Sequence, residues 1–166
     1  MSKSVPLRMV YAPQRLLIGK KMAMTLADDQ TPVLWRSFMP FRQNIPHRVN
    51  EELISLQDYG TMKMDPPDPQ AVFTKWAAVE VSAVDNVPEG MEVFTVPAGW
   101  YAVFLHRGSN QDTSIFQYIF SAWLPASEYL LDQRPHFEVL GARYRNGDPL
   151  SEEEIWIPVK PKCVLT

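Results

Sequence analysis

Few residues in this chain have types and spacing that could do chemistry. The three histidines, His47, His106 and His136, are far apart with no spacing that suits a metal. The single cysteine, Cys163, has no second thiol for a disulfide or a zinc site. It stands in a terminal Cys-Val-Leu-Thr, which formally resembles a prenylation box, but a single apolar-flanked Cys in a tail is common by accident and prenylation is not expected. No Gly-x-Ser-x-Gly elbow, Gly-x-x-x-x-Gly-Lys, Gly-x-Gly-x-x-Gly or His-Glu-x-x-His occurs. These absences argue against a metal or nucleotide enzyme, so no catalytic residue, metal site or cofactor is assigned. What stands out is an acid among aromatic rings. Strand alternation places Ile155, Ile157 and Val159 on one face and Glu154, Trp156 and Pro158 on the other. If the sheet is covered on both sides, Glu154 is buried and must either hold a proton or meet a cation. A cation against Trp or Tyr faces gains about 0.5–2 kcal/mol per good ring contact. The alternatives are that Glu154 joins Glu152 and Glu153 in a solvated acidic turn, and that Trp35, Phe38, Tyr101 and Trp123 are ordinary core.

The elements that must position these residues read as strand, helix, strand, strand, twice over. Residues 15–24 form an apolar, β-compatible run. Asp28 and Asp29 then offer N-cap oxygens to a helix carrying Leu34, Trp35, Phe38 and Phe41, which Pro40 bends or ends. Residues 53–57 are a short strand, 62–70 a proline-rich exposed loop, and 75–84 a strand with Ala77, Val79 and Val81 on one face. Residues 91–96 and 100–106 are β-rich runs joined by the turn-forming Pro97-Ala98-Gly99. Asp112 then caps a helix whose apolar face is Ile115, Phe116, Ile119, Phe120 and Trp123. Residues 136–140 and 154–159 are the closing strands. The expected fold is α+β: duplicated β-α-β-β units, about 8–86 and 90–160 in one domain, forming an antiparallel sheet with two helices on one face. A central ligand cleft is expected where the halves meet.

Composition narrows the class of function. At 166 residues, 46% hydrophobic and 21% charged, the chain reads as one folded domain. No apolar window is long enough to cross a bilayer, and residues 1–10 lack the apolar core of a signal peptide, so a cytoplasmic location without membrane attachment is expected. The net charge is −3, with basic residues favoured before residue 60 and acidic ones after it. No dense basic stripe appears, and direct nucleic-acid binding is not expected.

Four blocks carry a family resemblance. Tyr-Ala-Val-Phe-Leu-His-Arg-Gly from Tyr101, Gln-Tyr-Ile-Phe-Ser-Ala-Trp-Leu-Pro from Gln117, Arg-Pro-His-Phe-Glu-Val-Leu-Gly from Arg134 and Glu-Ile-Trp-Ile-Pro-Val from Glu154 resemble the gyrase-inhibitor-like (GyrI-like) effector-binding domain. Pro13 to Gly19 and Pro88 to Glu92 extend the likeness over nearly the whole chain. The family is the ligand module found behind the DNA-binding part of some AraC-type and MerR-type regulators. The resemblance implies the duplicated fold and a central cleft for lipophilic, often cationic, compounds, with a glutamate from the last strand. Glu154 matches that glutamate. Tyr101, Trp123 and Trp156 lie in matching blocks as pocket aromatics, with Trp35 and Phe38 added from the first helix. About a dozen residues precede the first strand, too few for a helix-turn-helix, so a stand-alone module without direct DNA contact is expected.

The expected function is therefore non-catalytic binding of a small, amphipathic or cationic organic molecule, as in multidrug-binding effector domains. One alternative is a small hydrolase with Glu154 as general base and Tyr101 as proton donor or orienting group. Another is a protein-interaction role with a partner such as gyrase or a regulator.

Overall fold

The computed structural model describes residues 5–162. The Cys163 reading lies outside them. Nine strands form one sheet: β1 (Arg8–Ala12), β2 (Arg15–Met24), β3 (Leu53–Asp58), β4 (Phe73–Val81), β5 (Glu92–Val96), β6 (Gly99–Arg107), β7 (Tyr129–Leu131), β8 (His136–Leu140) and β9 (Glu152–Pro161). Every pairing is antiparallel, in the order β1-β6-β9-β8-β3-β4-β2-β5, and β7 adds to the far end of β9. Helix α1 (Thr31–Phe38) continues as a 3-10 segment, Met39–Asn44; Pro40 lies at this change. Helix α2 (Ser114–Tyr118) runs through a π-helical segment, Ile119–Trp123, into α3 (Leu124–Ala126). The acids expected as N-caps sit one or two residues early: Asp29 accepts the Thr31 N–H and Asp112 the Ser114 N–H, each in a turn before its helix.

Two short connections fix the curvature of this sheet. β1 and β2 stand six strand positions apart, yet only Pro13 and Gln14 join them. β5 and β6 are equally far apart and are joined by Pro97 and Ala98. A flat sheet would separate such strands by about 29 Å, whereas a two-residue link reaches about 11 Å. The sheet must therefore curl until its ends approach, although its hydrogen-bond ladder stays open. Inside the curl all eight strands of the main path contribute to one apolar cluster, including Leu17, Leu56, Trp76, Val96, Tyr101, Val103, Phe137 and Trp156. Gly19 permits part of this closeness, because a Cβ there would overlap the Ala77 carbonyl oxygen and Ala78.

The outer face carries the helices, each over its own cluster. Leu34 and Phe38 of α1 pack with Ile18, Ala77, Val79 and Val81. Ile115, Ile119 and Phe120 pack with Ala102, Phe104, Ile155 and Ile157. Ile155, Ile157 and Val159 thus lie under the second helix, and Trp156 faces the other way, as alternation predicts. The loop 59–72 departs from its expected exposure: Met64 packs into the second helix's cluster, and Met62 and Pro67 are also partly buried.

Candidate functional site

The six residues expected to form one site do not converge. Tyr101 and Trp156 point into the curl, whereas Trp35, Phe38 and Trp123 are on the helix side. Tyr101, Phe137 and Trp156 form a compact ring cluster, with centroids 5.1–5.6 Å apart. Arg15 lies 4.6 Å from the Trp156 centroid and 5.2 Å from that of Phe137, and Arg8 lies 5.4 Å from Trp156. The gap bordered by Arg15, Leu17, Ile54, Val96 and Phe137 has no room for a water molecule. Tyr101 keeps its hydroxyl buried without a hydrogen bond of ordinary geometry, and the Arg134 guanidinium lies 4.6 Å from its ring centroid.

Glu154 is already paired. Arg8 donates to both of its carboxylate oxygens at 3.1 and 3.2 Å, and the Trp156 indole N–H donates at 3.1 Å. Burial pushes its proton affinity up, but the Arg8 and Trp156 hydrogen bonds and the charges of Arg8 and Arg15 outweigh this and hold it below the usual carboxylate range. Its side chain remains 30% exposed. The protein's own arginine thus occupies the place that sequence reading gave to a ligand cation.

A different acidic group lies on the helix side, in the seam between the two helix clusters. Alternation brings Ser55 and Gln57 of β3, Lys75 of β4, His136 and Glu138 of β8, and Glu153 of β9 to this face. All but Glu138 are buried, and Glu138 is partly so. Cross-strand register sets their order: Lys75 opposes Gln57, Gln57 opposes His136, and Ser55 opposes Glu138. Gln57 donates its amide N–H to Glu138 at 3.1 Å. His106, opposite Glu153, donates Nε2–H to the Ser109 carbonyl at 2.9 Å.

The electrostatics are those of acids removed from water. Burial raises the Glu138 pKa, with Lys75 and the Gln57 amide opposing. Burial, then the Glu138 charge, pushes Glu153 up to about 7, again against Lys75. Burial, helped by Arg134, pushes His136 down to about 3, so its ring is neutral. Burial, followed by the charges of Glu138 and Asp29, raises the Tyr59 phenol. Rings line the same end of the seam. Tyr59 lies 4.9 Å from His136 and 5.0 Å from Phe73, and Phe120 lies 5.8 Å from His136. There a cleft of about 230 Å³ opens to solvent between residues 59–63 and 131–136, with Tyr59, Lys63, Asp132, Arg134 and His136 among its walls.

Sequence reading missed Glu138 and Glu153, but two signals were present. Glu153 is two residues before Ile155, so the alternation that puts Ile155 under the helices carries Glu153 with it. In β3 and β8 the polar residues Ser55, Gln57, His136 and Glu138 all fall on the face where helices would demand apolar ones.

A family comparison bears on this arrangement: residues 8–159 match the model of Cass2, the integron-associated effector binding protein. The chain belongs to the Cass2 family. Among curated proteins this Cass2 member is 31% identical over 154 residues to the transcriptional regulator BrlR of Pseudomonas aeruginosa. The match takes in 92% of the chain and 54% of BrlR, so the chain spans about half the length of that relative. Among solved structures, the EcmrR C-terminal domain superposes with a TM-score of 0.67 at 14% identity, covering 93% of this chain and 96% of that one. SAV2435 bound to tetraphenylphosphonium superposes with a TM-score of 0.63 at 17% identity, covering 96% and 94%. These likenesses show the fold expected from the GyrI-like resemblance. Among the described residues, no helix of the Cass2 member is long and apolar enough to cross a membrane.

Proposed function

We propose that this effector-binding protein takes a lipophilic organic cation in the seam between its helices, with Glu138 and Glu153 supplying the opposing charge. The observation that carries the proposal is the pair of carboxylates on the helix side, Glu153 buried and Glu138 partly so, both with raised proton affinity. Buried acids of this kind are costly when ionised and are relieved by an incoming cation. The ligand enters through the cleft beside Tyr59 and His136. Its apolar body displaces water from the cleft and packs against Tyr59 and His136. The cleft is smaller than the roughly 300–1,000 Å³ of drug-sized sites, so larger ligands require the loop carrying Met64 to shift. The ligand in SAV2435, a phosphonium surrounded by phenyl groups, has the chemistry this reading calls for. The likeness to BrlR supports a role in which occupancy is read out by a protein that controls transcription.

Titration calorimetry with tetraphenylphosphonium, and with neutral triphenylphosphine oxide as its counterpart, tests this reading. The cation binds and the neutral compound binds at least tenfold more weakly. Glu138→Gln lowers cation affinity by tenfold or more, while Glu154→Gln leaves it unchanged. Equal binding of the two compounds, or full affinity in Glu138→Gln, overturns the assignment.

A further inference from the structure

His136 brings to the cleft a hydrogen-bonding ring that the fold leaves unused. It is 5% exposed and stands in the cleft wall, with the Tyr59 ring edge-on at 4.9 Å and the Phe120 ring at 5.8 Å. Among the described residues no hydrogen bond reaches either of its ring nitrogens, in contrast to His106, which is tied to the Ser109 carbonyl. Burial keeps the ring uncharged, and a neutral imidazole has one N–H and one bare nitrogen that accepts. A buried polar group left without a partner costs about 1–3 kcal/mol. The charged groups of the cleft are spent or act alike on every cation. Asp132 accepts from Arg134 Nε at 2.7 Å and from the Gln133 N–H at 2.9 Å, one on each carboxylate oxygen. Arg134 also donates to the carbonyls of Trp100 and Val159. Lys63, exposed on the opposite wall, repels any cation whether or not that cation carries an N–H.

We propose that His136 is a specificity-determining residue of the cleft, accepting an N–H from the ligand and so favouring protonated amines over quaternary onium ions of the same shape. This rests on reading the cleft and seam as the ligand site and adds the chemical class that the site prefers. A protonated amine gives the imidazole a charge-assisted hydrogen bond, whereas a quaternary centre offers no hydrogen and leaves the ring buried and unpartnered. A site built around a hydrogen bond discriminates most strongly against the analogue that cannot make it. Tetraphenylphosphonium has no N–H, so it reports on the site without reporting on His136.

Two probes of equal charge and nearly equal shape separate the hydrogen bond from everything else: N,N-dimethylbenzylamine, protonated at neutral pH, and benzyltrimethylammonium, which exchanges that N–H for a methyl group. Calorimetry on the wild-type protein gives about tenfold or more tighter binding of the protonated amine, the size of one hydrogen bond to a charged group. His136→Phe keeps a ring in place, brings the two affinities together and leaves that for tetraphenylphosphonium unchanged. Equal binding of the two probes by wild type, or a preference that survives in His136→Phe, overturns the proposal. Nitrogen NMR of the wild-type imidazole gives a second reading that does not depend on the variant's folding: the protonated amine shifts the bare ring nitrogen of His136, and benzyltrimethylammonium does not. A nitrogen that responds to neither probe, or equally to both, overturns the proposal as well. If wild type binds neither these probes nor tetraphenylphosphonium, the reading of the seam fails and takes the proposal with it. If tetraphenylphosphonium binds and Glu138→Gln weakens it, but the two probes bind alike, only the role of His136 is refuted.

Discussion

Replacing Glu153 by Gln should stabilise the protein at neutral and alkaline pH and change little in mild acid. The Glu153 pKa is carried from 4.5 in its ordinary state to about 7 in the fold, chiefly by burial. Below pH 4.5 both folded and unfolded chains hold the proton, so the group contributes no difference. Between pH 4.5 and 7 the unfolded chain ionises first, and stability falls as pH rises. Above pH 7 the folded chain carries the full cost, about 3 kcal/mol at 1.36 kcal/mol per tenfold change in proton affinity. Glutamine keeps the shape and cannot ionise, so Glu153→Gln regains that amount. For a chain of this length each kcal/mol moves the melting temperature by roughly 2–4 °C, giving a rise of about 6–12 °C at pH 8. The attraction of Lys75 is already included, since it opposes the shift in the folded protein. The titration of His136 cancels in the difference between the two proteins. Thermal unfolding of both proteins from pH 4.5 to 8 provides the check. A difference that stays flat across this range, or a destabilised variant at pH 8, would refute the claim that Glu153 is held ionised at a cost. The same variant should lose affinity for tetraphenylphosphonium, which makes Glu153 a position where binding is kept at the expense of stability.

Four further outcomes are expected. His136→Asn should flatten the loss of stability on acidification between pH 6.5 and 3, because wild type must leave a neutral buried ring unprotonated while its unfolded chain takes up a proton; equal slopes in pH-dependent urea unfolding would contradict this. Gly19→Ala should destabilise by about 3 kcal/mol or more, since its Cβ would meet the backbone of Ala77 and not a flexible side chain; a melting temperature within a degree of wild type would show that β2 and β4 can part freely. Tyr101→Phe should change stability by about 1 kcal/mol or less, because its buried hydroxyl has no hydrogen bond of ordinary geometry and interacts only with the neighbouring Arg134; a larger loss in chemical denaturation would show that Arg134 holds it in a full hydrogen bond. Arg8→Ala should cost about 1 kcal/mol or less, as the Arg8–Glu154 pair is part-exposed, and should leave cation binding intact; calorimetry and thermal melting on one sample check both halves.

Local physics made much of this protein legible from its residues. The i, i+3, i+4 spacing of Ile115, Ile119 and Phe120 marks a buried helix face, and the alternation from Ile155 to Val159 fixes which residues share a side of β9. β1 and β7 were not recognised. Their five and three residues are too short for alternation to register, and β7 is a strand only because β9 extends past β8 and offers it a partner. What alternation cannot say is which side of β9 becomes a filled interior and which holds a buried charge. That was decided by the two-residue links that curl the sheet, packing Trp156 and Tyr101 into a closed core and bringing Arg15 over Trp156, and by the pairing of β1 and β9 with β6, which sets Arg8 on Glu154. It was decided also by the pairing of β3 with β8, which sets Gln57 beside Glu138 across 81 residues of chain. A one-residue step along a strand reverses the face, so Glu153 and Glu154, adjacent in sequence, have opposite electrostatic surroundings. Periodicity carries the direction of each side chain; only long-range pairing supplies its neighbours, and neighbours determine the charge state of an acid.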